Sequence, residues 1–541
     1  MIKGISRAFN TSDPSVMSMM EQTLTNNWNR WAYTDYGTDT SYTYGDVAKM
    51  IARLHQLFRQ LGLEPGNKIA LCERNCAHWA IAFHAAFSYG AVVVPILADF
   101  SIEQIQNIYN HSESKLIICG HKYADKLQAR VLHISNFSMK DQPLAIDMSA
   151  YADLQPSQVK YFREKPDNLA LLSYTSGSTG RSKGVMLPYR SIWSNMHFAD
   201  EALDFHAGDK TLAVLPMAHM YGFAFDFLFE FLIGCHVHFL TKTPSPQVVI
   251  KAFQDIKPVI VIVVPLILEK IVRNKIFPIL HKPHIRFLTS IPLLRQAIYR
   301  TIRNKLYNAL GGNFYECIIG GAAFNKEVED FLHLIKFPYT VGYGMTECGP
   351  IIGYEDWSVF KKGSCGKTVS RMEVKILSPD PQNIPGEIIT KGANVMLGYY
   401  KNEQETLEAI DEAGWLHTGD LATMDSDGNI FIRGRKKNML LGSNGQNIYP
   451  EEIEDTITTH SIFEESVVVQ RGEKLTALVY VSESTLEQHG LTTHALEQNL
   501  SHYKRQLNTL LPSFAHLSAI EVQKEEFEKT PKKNIKRYLY T

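Results

Sequence analysis

The chain is organised around the stretch Leu171-Leu-Ser-Tyr-Thr-Ser-Gly-Ser-Thr-Gly-Arg-Ser-Lys-Gly184, in which an apolar, strand-like run leads into a polar loop. From Thr175 to Gly184 the loop has three glycines, five Ser or Thr residues and two cations, Arg181 and Lys183. Glycines let backbone amides approach an anion closely, and hydroxyls and cations add donors and charge, so this composition favours phosphate binding. The spacing does not match the Walker A pattern in any register, which argues against ordinary P-loop chemistry. A flexible surface loop of the same composition stays open as an alternative.

Outward from this loop, the sequence predicts an α/β core. After Thr43, apolar residues recur at helical spacing until Gly62, which predicts a helix with the buried positions Val47, Ile51, Leu54, Phe58 and Leu61. Strand-like runs alternate with such segments, at Lys68–Cys72, Ala91–Pro95, Leu116–Cys119 and Pro258–Val264. Because several runs are almost continuously β-branched or apolar, we expect strands buried on both faces of a parallel or mixed sheet.

The longest apolar run, Val259–Leu268, is too short to span a membrane and contains Pro265, so it predicts a buried strand followed by a turn. After Asp420 the composition changes, with a turn at Asp425–Gly428, a strand at 429–433 and a charged link at 434–437. The remaining hundred or so residues predict one small α+β domain. Its expected elements are helices at 451–460 and 493–510 and strands at 466–469, 475–481 and near Ile520.

Composition narrows the function classes. Lys and Arg number 55 and Asp and Glu 56, a formal net charge of −1, so no overall basic field favours nucleic acid. The hydrophobic fraction of 45% and the charged fraction of 21% are those of a globular protein. Residues 1–20 show no signal-peptide pattern, and the seven cysteines are dispersed without zinc-site spacing. We therefore expect a cytoplasmic protein without a transmembrane segment.

Four further motifs follow the loop in a fixed order, at 341–347, 414–420, 431–435 and 444–454. Together with the loop they resemble the acyl-adenylate-forming superfamily over nearly the whole chain. The segments Pro216–His219, Gly320–Ala323 and Gly392–Tyr400 are most similar to bacterial long-chain fatty acid CoA ligases. The resemblance implies a large N-terminal multi-sheet α/β domain, 1–435, which binds AMP and the acyl group, and a small mobile C-terminal α+β lid, 436–541.

The resemblance also implies roles for individual residues. It places adenine against Tyr343, the α-phosphate near Thr346 and Mg²⁺ on Glu347. Ribose is placed on Asp420 and Arg435. The residues implied to bind the ATP phosphates are Thr175, Ser176, Gly177, Ser178, Thr179, Gly180 and Lys183. Further nucleotide contacts fall on Gly321, Ala322, Gly344, Met345 and Ile432, the domain hinge on Lys437 and the CoA channel on Gly442, Ser443 and Gly445. The segment Met217–Phe223, which contains His219, is placed beside the substrate carboxylate. Each of these residues also has a purely structural interpretation when it is taken alone. Tyr343 is then a core aromatic, Asp420 a helix cap, Arg435 a surface charge and His219 a structural histidine.

The C-terminal tail departs from the family pattern. The family has a lysine that contacts the substrate carboxylate and the α-phosphate, but here the tail reads Thr530-Pro-Lys-Lys-Asn-Ile-Lys-Arg537, with Asn534 in the position of that lysine. Losing a positioned cation between two anions is expected to slow adenylation. Lys533, one residue earlier, is the candidate catalytic replacement, and a solvated basic tail is the alternative.

The resulting expectation is a two-step enzyme with Mg²⁺ as cofactor. It forms an acyl-AMP from ATP and a fatty acid of medium to long chain, and then transfers the acyl group to CoA. Two alternatives stay open. One is an acyl-AMP ligase that loads an acyl carrier protein, although the 73 positions from Glu347 to Asp420 leave little room for the insertion typical of that branch. The other is a nucleotide-binding regulatory protein with weakened catalysis. Acyl chain length, oligomeric state and peripheral membrane contact are not determined by the sequence.

Overall fold

The computed structural model describes residues 15–176, 182–242, 245–441, 447–472, 474–529 and 535–540. The largest sheet in these ranges contains, in spatial order, the strands Gly398–Tyr399, Ser182–Pro188, Leu169–Ser176, Val92–Pro95, Lys68–Cys72, Leu116–Cys119, Val131–His133 and Ser138–Met139. Its central strands, from Leu169–Ser176 to Val131–His133, are parallel, and the strands at both edges are antiparallel. The prediction of apolar strands in a mixed sheet is confirmed.

Smaller sheets complete the N-terminal part. One contains Lys210–Ala213, His236–Phe239, Trp31–Asp35 and Ser41–Thr43, and a parallel one contains Ile260–Val263, Glu316–Ile319 and Tyr339–Val341. Two antiparallel sheets follow, Tyr343–Gly344 with Ile351–Tyr354 and Lys367–Thr368, and then Met372–Leu377, Gly386–Gly392, Leu416–Met424 and Ile430–Arg435. The last two strands of this group form the hairpin that carries the ribose candidates.

Helices cover these sheets. The α-helices of the N-terminal part are Val16–Asn26, Tyr44–Gln60, Ala77–Ser88, Ile102–Ser112, His121–Ala124, Tyr189–Ala202, Met220–Phe223, Phe229–Ile233, Pro246–Ile256, Pro265–Ile271, Phe277–Leu280, Pro283–Ser290, Pro292–Ala309, Lys326–Leu334 and Glu403–Ala409. Short π-helical turns occur at Ala224–Leu228 and Val272–Ile276, and 3-10 turns at Pro156–Gln158, Thr346–Cys348 and Lys436–Asn438.

The helix predicted after Thr43 is confirmed. Thr43 caps it by accepting a hydrogen bond from the Asp46 amide, while the Asp46 carboxylate accepts from the Thr43 amide. This reciprocal capping box satisfies backbone donors that the first turn leaves without partners. All five predicted apolar positions are buried, and Gly62 takes a positive φ of 71° where the helix ends.

The predicted turn after the strand Ile260–Val263 is wrong, because a helix begins there at Pro265. Proline lacks an amide hydrogen that the first helical position does not need, and its fixed φ suits a helix start. Pro265 therefore interrupts the strand by starting a helix, which opens a long helical segment that reaches Ala309.

The C-terminal part has its own core. Its elements are the short strands Leu440–Leu441 and Asn447–Ile448, the sheet Glu465–Arg471, Lys474–Tyr480 and Leu517–Val522, the helices Pro450–His460, Glu483–Gln488 and Thr493–Asn508, and 3-10 turns at Ser513–Ala515 and Arg537–Leu539. The predicted helices and strands are confirmed, and Glu483–Gln488 was not predicted. The helix Pro450–His460 contacts the N-terminal part, where Arg273 donates a hydrogen bond to the Thr458 carbonyl at 2.6 Å.

Candidate active site

The two ends of the polar loop lie on paired strands of a β-hairpin. The strands Leu169–Ser176 and Ser182–Pro188 pair antiparallel, with Thr175 opposite Lys183. Residues 177–181 join them, so the candidates Gly177, Ser178, Thr179 and Gly180 lie outside the described residues. The hairpin thus brings the two ends of the predicted phosphate loop, Thr175 and Lys183, to one place.

Lys183 has protein partners in this structure. Its ammonium forms an ion pair with Glu405, and it lies 5.0 Å from the centroid of the Tyr399 ring. The Tyr399 hydroxyl donates a hydrogen bond to Glu347 Oε1 at 2.9 Å. Lys183 and Glu347, which the sequence assigned to the phosphates and to Mg²⁺, therefore both contact the same tyrosine.

Glu347 lies in the 3-10 turn Thr346–Cys348, where Thr346 is buried. The turn follows the short strand Tyr343–Gly344, and the Met345 amide donates to the Pro350 carbonyl at 2.9 Å. A Cβ on Gly344 would lie 2.2 Å from that same carbonyl oxygen, so only glycine fits there. This close return of the chain aims Tyr343 and Glu347 towards the same region.

Asp420 and Arg435 face each other across the hairpin of Leu416–Met424 and Ile430–Arg435. Arg435 Nε lies 2.7 Å from Asp420 Oδ1, and the Tyr343 hydroxyl donates to Asp420 Oδ2 at 2.7 Å. Burial raises the pKa of Asp420, while Arg435 and the Tyr343 hydrogen bond oppose that rise. A carboxylate has about four acceptor positions, so Asp420 keeps capacity for a diol beside these two partners.

Glu347 and the Asp420–Arg435 pair interact electrostatically. The negative charge of Glu347 raises the pKa of both Asp420 and Arg435. Two larger effects oppose each other at each residue: burial raises the pKa of Asp420 and lowers that of Arg435, while their ion pair lowers the pKa of Asp420 and raises that of Arg435. Lys437, in the turn directly after this hairpin, has its pKa lowered by partial burial and by the nearby charges of Arg435 and Lys183. The predicted hinge residue therefore lies within electrostatic reach of the phosphate and ribose candidates.

Tyr221 connects the segment of His219 with the glycines of the predicted acyl site. The amide of Tyr221 donates to His219 Nδ1 at 3.3 Å, and the Tyr221 hydroxyl donates to the Ile318 carbonyl at 3.2 Å. The Tyr221 ring lies against Gly320, where a Cβ would come within 3.1 Å of it, and Gly321 has a positive φ of 87°. Segments 100 residues apart in sequence thus meet, and a tyrosine covers the glycines.

The remaining sequence-predicted residues are less closely placed. Ala322 and Ile432 are exposed, and Ile432 pairs with Ala422 in the ribose hairpin. The CoA-channel candidates Gly442, Ser443 and Gly445 and the tail residues Lys533 and Asn534 lie outside the described residues. Their roles stay predictions.

The sequence did not predict three residues that contact the candidate site residues: Tyr221, Tyr399 and Glu405. Tyr221 and Tyr399 belong to motifs that the sequence did single out, so an aromatic residue inside each motif was the available signal. Glu405 lies in the helix Glu403–Ala409 among other acidic residues, and no pattern distinguishes it.

Replacing Glu405 by Gln is expected to lower the KM for ATP by up to about five-fold, because a partly exposed ion pair competes weakly with phosphate for Lys183. Initial rates at varied ATP concentration measure this effect. Glu403→Gln, on the same helix, is the matched control and is expected to leave the KM unchanged. An unchanged or higher KM in Glu405→Gln would show that the pair orients Lys183 rather than occupying it.

Glu347 could bind Mg²⁺ only if a bound nucleotide supplied further ligands. Among the residues that the structure describes, no group of three or more His, Cys, Asp or Glu side chains could hold a metal ion. Glu347 is a half-buried single carboxylate, and Mg²⁺ commonly takes one or two carboxylates while phosphates and water supply the other ligands. Glu347 would hold such an ion, which supplies charge stabilisation at the phosphates when bound.

Known protein families match most of the chain. The family model described as AMP-binding enzyme matches residues 20–400, and the model of the AMP-binding enzyme C-terminal domain matches residues 437–540. Among curated relatives, 4-coumarate–CoA ligase 1 of Arabidopsis thaliana is 28% identical over 470 residues, covering 82% of this chain and 78% of the relative. The 4-coumarate–CoA ligase of Vanilla planifolia is 28% identical, covering 86% and 83%.

Solved structures share the fold. ATP-bound MatB from Rhodopseudomonas palustris superposes with a TM-score of 0.77 at 19% identity, covering 97% of this chain and 98% of that one. O-succinylbenzoate CoA synthetase from Bacillus subtilis, in complex with ATP and magnesium, gives 0.76 at 20% identity, covering 96% and 98%. The two family models together span most of the sequence. The chain belongs to the AMP-binding enzyme family, the acyl-adenylate-forming superfamily that the order of its motifs predicted.

Proposed function

We propose that the protein is an AMP-forming acid–CoA ligase. The observation that carries this proposal is the proximity of Lys183, Glu347 and the Tyr343–Asp420–Arg435 cluster. Lys183 and Glu347 both contact Tyr399, and the charge of Glu347 acts on Asp420 and Arg435. Cation, metal-ligand carboxylate and diol acceptor are the groups that bind the three parts of Mg-ATP. ATP, CoA and a carboxylic acid are then substrates, and Mg²⁺ is the cofactor.

Each residue has a defined task in this proposal. Lys183 and the loop amides stabilise charge on the phosphates as the acid carboxylate attacks the α-phosphorus and pyrophosphate leaves. Asp420 and Arg435 hold the ribose, and Tyr343 lies beside the adenine. The lid then turns about Lys437 so that the CoA thiol attacks the acyl carbonyl and AMP leaves.

The acid is proposed to be apolar and short or planar. Tyr221 lies against Gly320 with its hydroxyl fixed on the Ile318 carbonyl, so its ring limits the depth available beyond the glycines. The curated relatives are named for 4-coumarate, a planar aromatic acid. The second candidate is the fatty acid predicted from the sequence, which the small residues Gly320, Gly321 and Ala322 favour.

A substrate panel tests the proposal. Carboxylates of graded chain length and aryl acids are incubated with ATP, Mg²⁺ and CoA, while AMP and thioester are measured. We expect the highest kcat/KM with an aryl or short apolar acid. A maximum with long fatty acids would replace the first candidate by the second. Thioester formed only on an acyl carrier protein would favour the acyl-AMP ligase alternative, and no AMP with any acid would favour a regulatory protein.

Replacing Tyr221 by Ala is expected to raise the kcat/KM for a long-chain acid relative to an aryl acid by about ten-fold or more, since several methylenes gain an apolar site. Competition between the two acids in one reaction measures the ratio directly. Tyr221→Phe keeps the ring and serves as the control, with a ratio close to that of the unmodified protein. An unchanged ratio in Tyr221→Ala would mean that the ring does not limit the acyl pocket.

A further inference from the structure

The helical segment 265–309 differs from the rest of the N-terminal part in its packing. It comprises the helices Pro265–Ile271, Phe277–Leu280, Pro283–Ser290 and Pro292–Ala309, with a π-helical turn at Val272–Ile276. From Arg273 to Lys305 no residue of this fully described segment is buried. Between Val272 and Leu306, which is 2% exposed, the segment contacts the core only through half-buried side chains, those of Ile276, Phe277, Leu280, Tyr299 and Ile302.

Many uncovered residues of the segment are apolar. Leu293 is 81% exposed, Phe287 69% and Ile279 51%, and Leu266, Ile291 and Leu294 are each about two-fifths exposed. Large exposed apolar side chains concentrated in one segment usually mark a contact with a protein or a membrane. Because Phe287 and Leu293 project with most of their surface free, they form protruding tips and not the walls of a groove.

The same segment concentrates positive charge. Nine of the 55 Lys and Arg residues lie between 265 and 309 but only one of the 56 Asp and Glu residues, Glu269. The segment therefore carries +8, while the remainder of the chain carries −9. The Glu269 carboxylate turns inward and accepts a hydrogen bond from the Asn325 amide at 2.9 Å, so it does not neutralise the outer face.

Most of these cations point to solvent. Lys270, Lys275, Lys282, Arg286, Arg295, Arg300 and Lys305 are exposed, and among the described residues none of them has an acidic partner within ion-pair distance. Arg273 is different, because it lies 3.6 Å from Glu327 and donates to the Thr458 carbonyl. Seven cations without an acidic partner among the described residues thus lie in the same segment as the apolar tips.

We infer that the segment 265–309 is a membrane-binding surface for anionic phospholipid bilayers. Short helices with protruding apolar side chains and flanking Lys and Arg residues lie in the bilayer interface, where apolar tips enter the acyl boundary and cations meet lipid phosphates. No helix in the described ranges is both long and apolar enough to cross a bilayer, so the contact is peripheral. Such a surface would place the enzyme where apolar acids partition.

Charge favours a bilayer over another copy of this chain, because two +8 faces repel each other. Protruding tips also suit a fluid interface better than a rigid partner, which would need pockets of matching shape. An acidic protein, such as a carrier protein, would also be attracted to the positive charge. Its binding would not require the apolar side chains to insert into a bilayer. These occupants are therefore distinguishable by experiment.

Vesicle co-sedimentation of the full-length protein tests the proposal. We compare phosphatidylcholine vesicles with vesicles in which about one third of the lipid is phosphatidylglycerol, at low and high salt. Strong binding is expected only with the anionic vesicles and is expected to weaken at high salt. Arg286→Gln with Arg295→Gln should weaken binding about thirty-fold, and Phe287→Ser with Leu293→Ser should weaken it by at least ten-fold.

Val359→Ser is the matched apolar control, because Val359 is 66% exposed outside the segment. All variants are checked for an unchanged thermal midpoint and unchanged turnover of a water-soluble acid, which separates this test from the proposed activity. Equal binding of all variants, or no binding to anionic vesicles, would overturn the proposal. So would a dimer that the Phe287 and Leu293 changes dissociate, or binding of an acidic carrier protein without any vesicle binding.

Discussion

Glu347→Gln is expected to slow acid adenylation by about a hundred-fold or more while leaving the fold intact. The change removes one negative charge from the candidate magnesium ligand and keeps the side-chain volume, so the loss falls on stabilisation of the phosphates. Single-turnover release of pyrophosphate at several Mg²⁺ concentrations measures the effect. The variant should require more Mg²⁺ than the unmodified protein to reach its own maximum.

Tyr399→Phe is the control for the position of the Glu347 carboxylate. It removes the hydroxyl that donates to Glu347 Oε1 and retains the carboxylate itself. We expect a loss of only a few-fold, as for one neutral donor to a partly solvated carboxylate. If Glu347→Gln releases pyrophosphate at the normal rate even at limiting Mg²⁺, Glu347 is a structural partner of Tyr399 and not a metal ligand.

Asp420→Ala is expected to weaken the binding of ATP and AMP together, by about ten- to a hundred-fold, because ribose is common to both. The buried carboxylate also holds Arg435 and Tyr343 in place, so its removal leaves a cation and a hydroxyl without their partner. Titration calorimetry with each nucleotide measures the two dissociation constants.

Asp420→Asn separates charge from shape, since the amide oxygen can still accept from Tyr343 while the charge opposite Arg435 is lost. We expect an intermediate loss of affinity for both nucleotides. A normal AMP dissociation constant in Asp420→Ala would mean that the residue only joins the strands of its hairpin.

The sequence predicted the elements whose pattern is local. The helix after Thr43 follows from apolar spacing and a capping box, and the apolar strand runs follow from their β-branched composition. The spacing of fifteen residues between Asp420 and Arg435 is explained by a hairpin in which they are cross-strand partners. In these cases the information lies within a few residues or one turn.

The contacts that depend on distant packing could not be predicted in this way. Glu405 meets Lys183 from a helix more than 200 positions away, and Tyr221 covers Gly320 from another part of the chain. The helix that starts at Pro265 was missed because proline ends a strand and begins a helix equally well. The exposure of the apolar residues in 265–309 could not be predicted either, because the sequence does not show whether an apolar residue is buried.

The narrower prediction of a fatty acid rests on the similarity of short motifs and on small residues near the acyl site. The curated relatives are instead named as 4-coumarate–CoA ligases, and the Tyr221 ring lies against Gly320. Lys533 and Asn534 remain the least constrained candidates, so a replacement cation in the tail stays a prediction.

Exchange of labelled pyrophosphate into ATP, measured without CoA, tests the central claim most directly, because it reports reversible attack of an acid on the α-phosphate in this cleft. We predict exchange that requires both Mg²⁺ and an apolar carboxylic acid, that does not require CoA, and that Glu347→Gln suppresses. ATP binding of normal affinity with no exchange for any acid in the panel would contradict the account and identify a nucleotide-binding protein without ligase activity.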